Sequence, residues 1–459
     1  IDGPVVGGFQ TAEVTASTFE SYSFANKTRT TVNSLNGGDT FVLNYNVTVP
    51  GLQLLDLYGN ELTGGILNPD DAQAETFQVL ATGPGTVANR LYGQRGSELY
   101  TNSLTNYLDP IQSNVQMHGG EGISIINLSD ANDPTGDTIT ILGNKIIGAA
   151  AGTIELYFAT IEDIRFAASS GDDVITILST YAGSDPTVQY KYRISGGLGS
   201  DVFRVGSYDS DPTPGVVLAW APWGGTNTIG QIKGELIIIP GPAGDTGHDV
   251  LYVDDSGGLA GYTAAQINDA AGGTTLARTT SLINFDAAAP IRYEYTPGGS
   301  MLEGLFINTS QASDTVWVNA TSAGYTILDL GPGNDASTVY INGDALSGEN
   351  YFRGGSGYDR FVLNVSSNLG ASAILPLSVV DIDGGTPSSD SSARDVLEIV
   401  DTGGFSRTLD FAYTVLVHLV VSGFAVPIDV VNMETVKYVG DSAADDASSV
   451  TGTSGDDLI

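Results

Sequence analysis

Gly354-Gly-Ser-Gly-Tyr-Asp359-Arg-Phe-Val-Leu363 and Gly196-Gly-Leu-Gly-Ser-Asp201-Val-Phe-Arg-Val205 are two full copies of one phrase. Glycines lead to an acid, and the acid leads to a run in which apolar side chains recur at every second position. Shorter copies stand at Gly37-Gly-Asp39-Thr-Phe-Val-Leu43, Gly171-Asp-Asp173-Val-Ile-Thr-Ile177, His248-Asp249-Val-Leu-Tyr-Val253, Asp314-Thr-Val-Trp-Val318 and Asp395-Val-Leu-Glu-Ile399. Gly455-Asp-Asp457-Leu-Ile459 is one more. Glycine adopts backbone angles that other residues resist, and aspartate closes turns by bonding nearby backbone. Alternation marks a strand with one packed and one wet face. A turn-plus-strand unit repeated in this way is the mark of a stacked β architecture.

The alternation assigns faces. Val316 and Val318 fall on one side, and Thr315, Trp317 and Asn319 on the other; Phe361 and Leu363 oppose Arg360, Val362 and Asn364. Leu236-Ile-Ile-Ile239 is apolar on both sides and predicts a strand covered twice. The apolar run Tyr413–Val421 is rich in β-branched residues and reads as a buried strand. Helical periodicity is thin, with Thr263–Ala271 the best short candidate. The fold class expected is all-β: a parallel β-solenoid or β-helix-like stack, or stacked β-sandwich units, with Gly-Asp turns.

A longer period overlays the short one. Ile161-Glu-Asp-Ile-Arg-Phe166, Leu302-Glu-Gly-Leu-Phe-Ile307 and Met433-Glu-Thr-Val-Lys-Tyr438 each precede a copy of the phrase. Asp314 follows Asp173 by 141 residues, and Asp457 follows Asp314 by 143. These markers divide the chain into a divergent N-terminal β domain or cap (1–128), a first β repeat (129–271), a second (272–410) and the truncated start of a further one (411–459). A chain that opens on Ile1 without a signal segment is expected to be a processed chain or a fragment.

With 53 acidic and 17 basic side chains the net charge is −36, a field that opposes nucleic acid and anionic membranes as partners. No apolar run reaches the length of a membrane helix, so no membrane insertion is expected. The chain has no cysteine, which removes disulfides and thiolate chemistry.

The phrases at Gly196–Asp201 and Gly354–Asp359 resemble the nonapeptide of the hemolysin-type (RTX-like) calcium-binding repeats, and Gly331-Pro-Gly-Asn-Asp335, Ser170-Gly-Asp-Asp173 and Ser454-Gly-Asp-Asp457 are partial matches. The wider pattern over Ser129–Ile459 is similar to that of large extracellular β-solenoid repeat proteins. The resemblance implies a secreted, extracellular or cell-surface protein and Ca²⁺ shared between aspartates of stacked turns. Asp172, Asp173, Asp201, Asp335 and Asp359 are the candidate ligands, followed by Asp254, Asp255, Asp456 and Asp457. Ca²⁺ takes six to eight oxygens, so one turn cannot hold it alone. Here the copies are separated by whole strands rather than set in tandem, and the residue-level alternative for each acid is a turn cap.

Nothing else in the chain assembles a catalytic motif, and the expectation is a non-enzyme without an organic cofactor. His118, His248 and His418 share no motif with a nucleophile, and the Gly-x-Gly phrases precede strands, the wrong context for nucleotide binding. Sequons at Asn26, Asn46, Asn127, Asn308, Asn319 and Asn364 are candidate glycosylation sites, Asn319 and Asn364 on outward positions. Trp220 and Trp223 suit either an aromatic platform or a packed corner. The expected function is a structural subunit of an extracellular surface assembly (filament, surface layer or adhesin) that self-associates through strand edges, with Phe9–Phe24 a candidate donor strand. The alternatives are a calcium-dependent carbohydrate-binding or adhesion module, with surface glycans as partners, and a β-helical polysaccharide lyase, hydrolase or epimerase.

Overall fold

A computed structural model describes residues 12–16, 19–24, 27–34, 37–59, 62–63, 66–67, 73–85, 87–150, 155–181, 190–208, 227–242, 244–263, 265–269, 279–284, 289–295, 302–331, 335–366, 369, 377–387, 394–403, 408–415, 418–440 and 447–451. Among them strands are the dominant regular element, and the one helical element is a single 3₁₀ turn at Gly343–Ala345. The chain forms two compact units: residues 1–201 with 233–241, and residues 202–232 with 242–459.

In the first unit the chain alternates between two parallel sheets. Arg29–Asn33, Leu54–Tyr58, Ala88–Tyr92, Val115–His118 and Glu155–Ala159 pair in that order in one sheet. Thr40–Asn44, Thr76–Ala81, Leu99–Thr101, Ile125–Ser129, Asp163–Ala167, Lys191–Ser195 and Glu235–Ile239 pair in order in the other. Each coil thus gives one strand to each sheet. The rhythm breaks once, where Lys145–Ile147 runs antiparallel between Thr138–Leu142 and Glu155–Ala159.

The register stacks like on like. Phe41, Phe77, Tyr100, Ile126, Ile164, Tyr192 and Leu236 occupy one column of the second sheet, strand after strand. From Phe77 onward every member is essentially inaccessible. Phe77 lies between the parallel rings of Phe41 and Tyr100, at 5.1 and 5.0 Å. On the wet face of the first sheet, Asp56 is fully buried between Arg29 and Arg90, with 2.6 Å contacts to each. Tyr58, Tyr92 and His118 stack beside it at 4.7 and 4.6 Å.

The second unit repeats the scheme. Val202–Val205, Asp249–Asp254, Leu302–Asn308, Tyr325–Asp329, Gly348–Arg353, Leu377–Asp383 and Ile428–Val431 form one parallel ladder. Ala265–Asp269, Thr315–Val318, Asp335–Asn342, Ser356–Val365, Val396–Asp401 and Thr435–Val439 form the other. The faces follow the alternation at Val316, Val318, Phe361 and Leu363, which are buried, and at Trp317, which is 39% exposed and stacks on Tyr340 at 4.1 Å; Val362, on the opposite face from Phe361, is buried as well.

The helix expected over Thr263–Ala271 is a strand, Ala265–Asp269. Burial of alternate residues Ala265 and Ile267 between parallel and antiparallel neighbours overrides the helical preference of a short alanine-rich stretch. The run Tyr413–Val421 is two strands, Thr408–Val415 and His418–Ser422, folded on each other antiparallel. Among the described residues no helix is long and apolar enough to cross a membrane.

Candidate functional site

The recurring acids sit where the chain enters a strand, and their oxygens reach along the stack. Asp173 accepts the Asp137 N–H at 2.6 Å, and Asp201 accepts the Asp173 N–H at 2.8 Å. In the second unit Asp395 accepts the Asp359 N–H at 2.7 Å, and Glu434 accepts the Asp395 N–H at 2.6 Å. Asp314 takes the Tyr262 N–H at 2.7 Å. Each acid therefore caps a backbone donor of the neighbouring coil that the strand ladder leaves open at its end. Asp173 and Asp314, the markers of the long period, share a further detail: a serine four residues earlier, Ser169 or Ser310, donates its hydroxyl to both carboxylate oxygens.

The glycines of the full phrase have separate tasks. A β-carbon at Gly196 would lie 2.1 Å from Asp201 Oδ2, and one at Gly354 2.5 Å from Asp359 Oδ2, so the first glycine makes room for the acid. The second glycine, Gly197 or Gly355, has φ of +97° or +87°, and a β-carbon there would sit 1.9 Å from a carbonyl oxygen of the adjacent coil, Ser169 O or Gly331 O. Only glycine combines that angle with that approach.

The candidate ligands are distributed along these corners. Asp173 and Asp201 are buried in caps, Asp359 is buried and gives its own N–H to Asp395, and Asp172 accepts the Ser200 N–H at 2.8 Å. Asp254 accepts from Asn227 Nδ2 at 2.9 Å, and Asp255 from the Ile229 N–H at 2.9 Å and the Tyr262 hydroxyl. Asp335 opens the strand Asp335–Asn342. Asp456 and Asp457 lie outside the described residues, as do Asn26, Trp220 and Trp223. Within Phe9–Phe24 the described part is an antiparallel pair, Ala12–Ala16 with Phe19–Phe24. Asn46, Asn127 and Asn319 are exposed and Asn364 is half-buried, whereas Asn308 is buried and donates to Asp254 at 3.3 Å. His118 is packed on Tyr92, and burial lowers its pKa; His248 is exposed beside Glu303 at 3.4 Å; His418 opens a strand.

Among the described residues, one trio of carboxylates converges closely enough to hold one ion, and only its last member, in Gly136-Asp137-Thr-Ile-Thr-Ile141, belongs to a copy of the repeated phrase. Asp130, Asp133 and Asp137 each place an oxygen within 4.8 Å of the others. They come from Ser129-Asp130-Ala-Asn-Asp133-Pro-Thr-Gly-Asp137, the loop that leads into the break in the two-sheet rhythm. Burial, joined by the neighbouring acids, pushes Asp130 up to about 7 and Asp137 up to about 6. A DxxDxxxD spacing in a proline-containing loop was the available sequence signal. The 53 carboxylates of the chain make such a spacing common and so obscure it.

Asp395 gives a test of the corners through pH. Its Oδ1 holds the Asp359 N–H, its Oδ2 is buried without a hydrogen-bond partner, and burial followed by the charge of Glu434 raises its pKa to about 6. A folded-state pKa above the unfolded value means the folded state binds this proton more tightly. The resulting stability is full below the unfolded value of 3.8 and is lost as pH rises through about 6. Asp395→Asn keeps the acceptor and removes the charge. It should stabilise the protein by about 2–3 kcal/mol near neutral pH and by almost nothing at about pH 4, as read from urea melts at the two pH values.

Comparison with protein-family models, curated proteins and solved structures finds no match to this chain.

Proposed function

We propose that the protein is a structural subunit of an extracellular surface assembly, in which stacked acidic β repeats associate through strand edges. The observation that carries this reading is the fate of the repeated phrase. Its acids hold amides of adjacent coils and its glycines let coils approach, so the most repeated chemistry of the chain serves the stack itself. The stacking also leaves strand edges. Among the described residues, Thr40–Asn44 ends one parallel ladder in the first unit, and Thr435–Val439 ends one in the second. Val42 and Val439, on those strands, are 50% and 40% exposed. An unpaired edge accepts a strand from another chain, and an apolar side chain beside it favours the contact.

Electron microscopy and sedimentation of the purified native protein test the reading. Fibres or sheets are expected, and Val42→Lys, which puts a charge on an edge strand, should reduce assembly without altering the β circular-dichroism signal. Dispersed monomers at all accessible concentrations would overturn it.

A further inference from the structure

We propose that Asp130, Asp133 and Asp137 form a site for one divalent cation, with Ca²⁺ the ion that fits. Hydrogen bonds hold all three residues in place, and backbone amides hold the carboxylates of Asp130 and Asp133. Asp130 Oδ1 accepts the Leu108 N–H at 2.7 Å, and its own N–H donates to Ala167 O at 2.9 Å. Asp133 Oδ1 accepts from Thr135 N–H at 2.9 Å and Oγ1 at 2.6 Å, while its carbonyl takes the Ser170 N–H and hydroxyl, both at 2.7 Å. The Asp137 N–H is held by Asp173. In all three residues the second oxygen, Oδ2, is buried and has no hydrogen-bond partner, although Asp130 is 0% and Asp133 2% exposed.

Buried carboxylate oxygens normally find donors, because leaving them bare costs far more than an ordinary hydrogen bond returns. The electrostatic neighbours of Asp130 are all acids: Asp137, Asp133 and Asp109. Those of Asp137 are Asp173, Asp133 and Asp109. Among the described residues no basic side chain figures in the charge around either carboxylate, and a cation would balance them. Oxygens within 4.8 Å of one another suit a single Ca²⁺ at about 2.4 Å from each, with carbonyls and water completing its shell. Mg²⁺ keeps several waters and a tighter octahedron, which a buried trio of carboxylates serves less well. The ion would tie the coil of Leu108, the loop itself and the coil of Ala167 and Ser170 together just ahead of the antiparallel strand Lys145–Ile147 that interrupts the alternation of the first unit. The proposal does not depend on assembly through strand edges, and the two fail separately.

The test is titration of the chelator-treated full chain with CaCl₂, MgCl₂ and TbCl₃ at about pH 7.5, read by calorimetry, melting temperature and terbium luminescence. Tyr107, whose hydroxyl lies 3.2 Å from Asp109 and which senses the charges of Asp133 and Asp130, is placed to sensitise terbium. One Ca²⁺ is expected to bind with a dissociation constant below about 1 mM, raise the melting temperature and displace terbium. Asp130→Asn and Asp133→Asn, which keep their backbone acceptors, should each weaken binding at least about tenfold, a loss of about 1.4 kcal/mol. Asp395→Asn should bind as the native chain does. Tyr107→Phe should dim the terbium signal at unchanged affinity, a reading that survives if an aspartate variant fails to fold. A chain indifferent to about 10 mM Ca²⁺, Asp133→Asn titrating like the native chain, or an undimmed Tyr107→Phe signal would each overturn the site. The first of these would leave Asp130 and Asp137 as a pair sharing a proton.

Discussion

Gly355→Ala should destabilise the protein by roughly 3 kcal/mol or more, enough to threaten folding of the second unit. Two independent costs add. At φ +87° an L-residue is strained by about 1–2 kcal/mol. The new methyl would also stand 1.9 Å from Gly331 O and 2.9 Å from its carbonyl carbon, backbone atoms that cannot rotate away. Gly385, one coil further, meets Gly355 O at the same 1.9 Å, so moving one coil disturbs the next. Gly244→Ala is the matched control. Its φ is +92°, but nothing lies within 4 Å of the added carbon, so only the conformational cost of about 1–2 kcal/mol remains. Chemical denaturation of the three proteins measures the difference, and similar losses for the two variants would show that close approach of coils is not what selects glycine at 355.

Phe77→Ala should cost about 3–5 kcal/mol. Phe77 is 1% exposed and is the middle ring of three, so truncation opens a cavity and removes two stacked contacts together. Stacked repeats draw stability from nearest-neighbour interfaces. The variant should therefore loosen the coils on the Thr40–Asn44 side more than those on the Lys191–Ser195 side, visible as a broadened or split unfolding transition. A loss below about 1 kcal/mol would mean that the ring is not a structural contact.

The strands and their faces were legible because period-two alternation is a local signal: Val316, Val318, Phe361 and Leu363 were assigned to the core from spacing and are there. Pairing was less legible. Alternation cannot say that Phe41, Phe77 and Tyr100 share a column, since that depends on loop lengths between coils. The strand Ala265–Asp269 was hidden because alanine carries little strand preference and the burial that fixes it is tertiary. The acids were legible as corner residues, and the serine four positions before Asp173 and Asp314 was a usable signal left unread. The trio of Asp130, Asp133 and Asp137 was only faintly legible as a DxxDxxxD spacing, because 53 carboxylates make such spacings uninformative until burial separates them.

The repeated phrase is a cap that joins coils by hydrogen bonds, and amide hydrogen exchange at Asp173 tests that most directly. In EDTA the Asp173 amide should already be strongly protected, and Asp201→Ala should expose it selectively whether or not Ca²⁺ is present. An Asp173 amide that exchanges freely in EDTA and becomes protected only with Ca²⁺ would contradict the account and make the ion, rather than the carboxylate, the joint between coils.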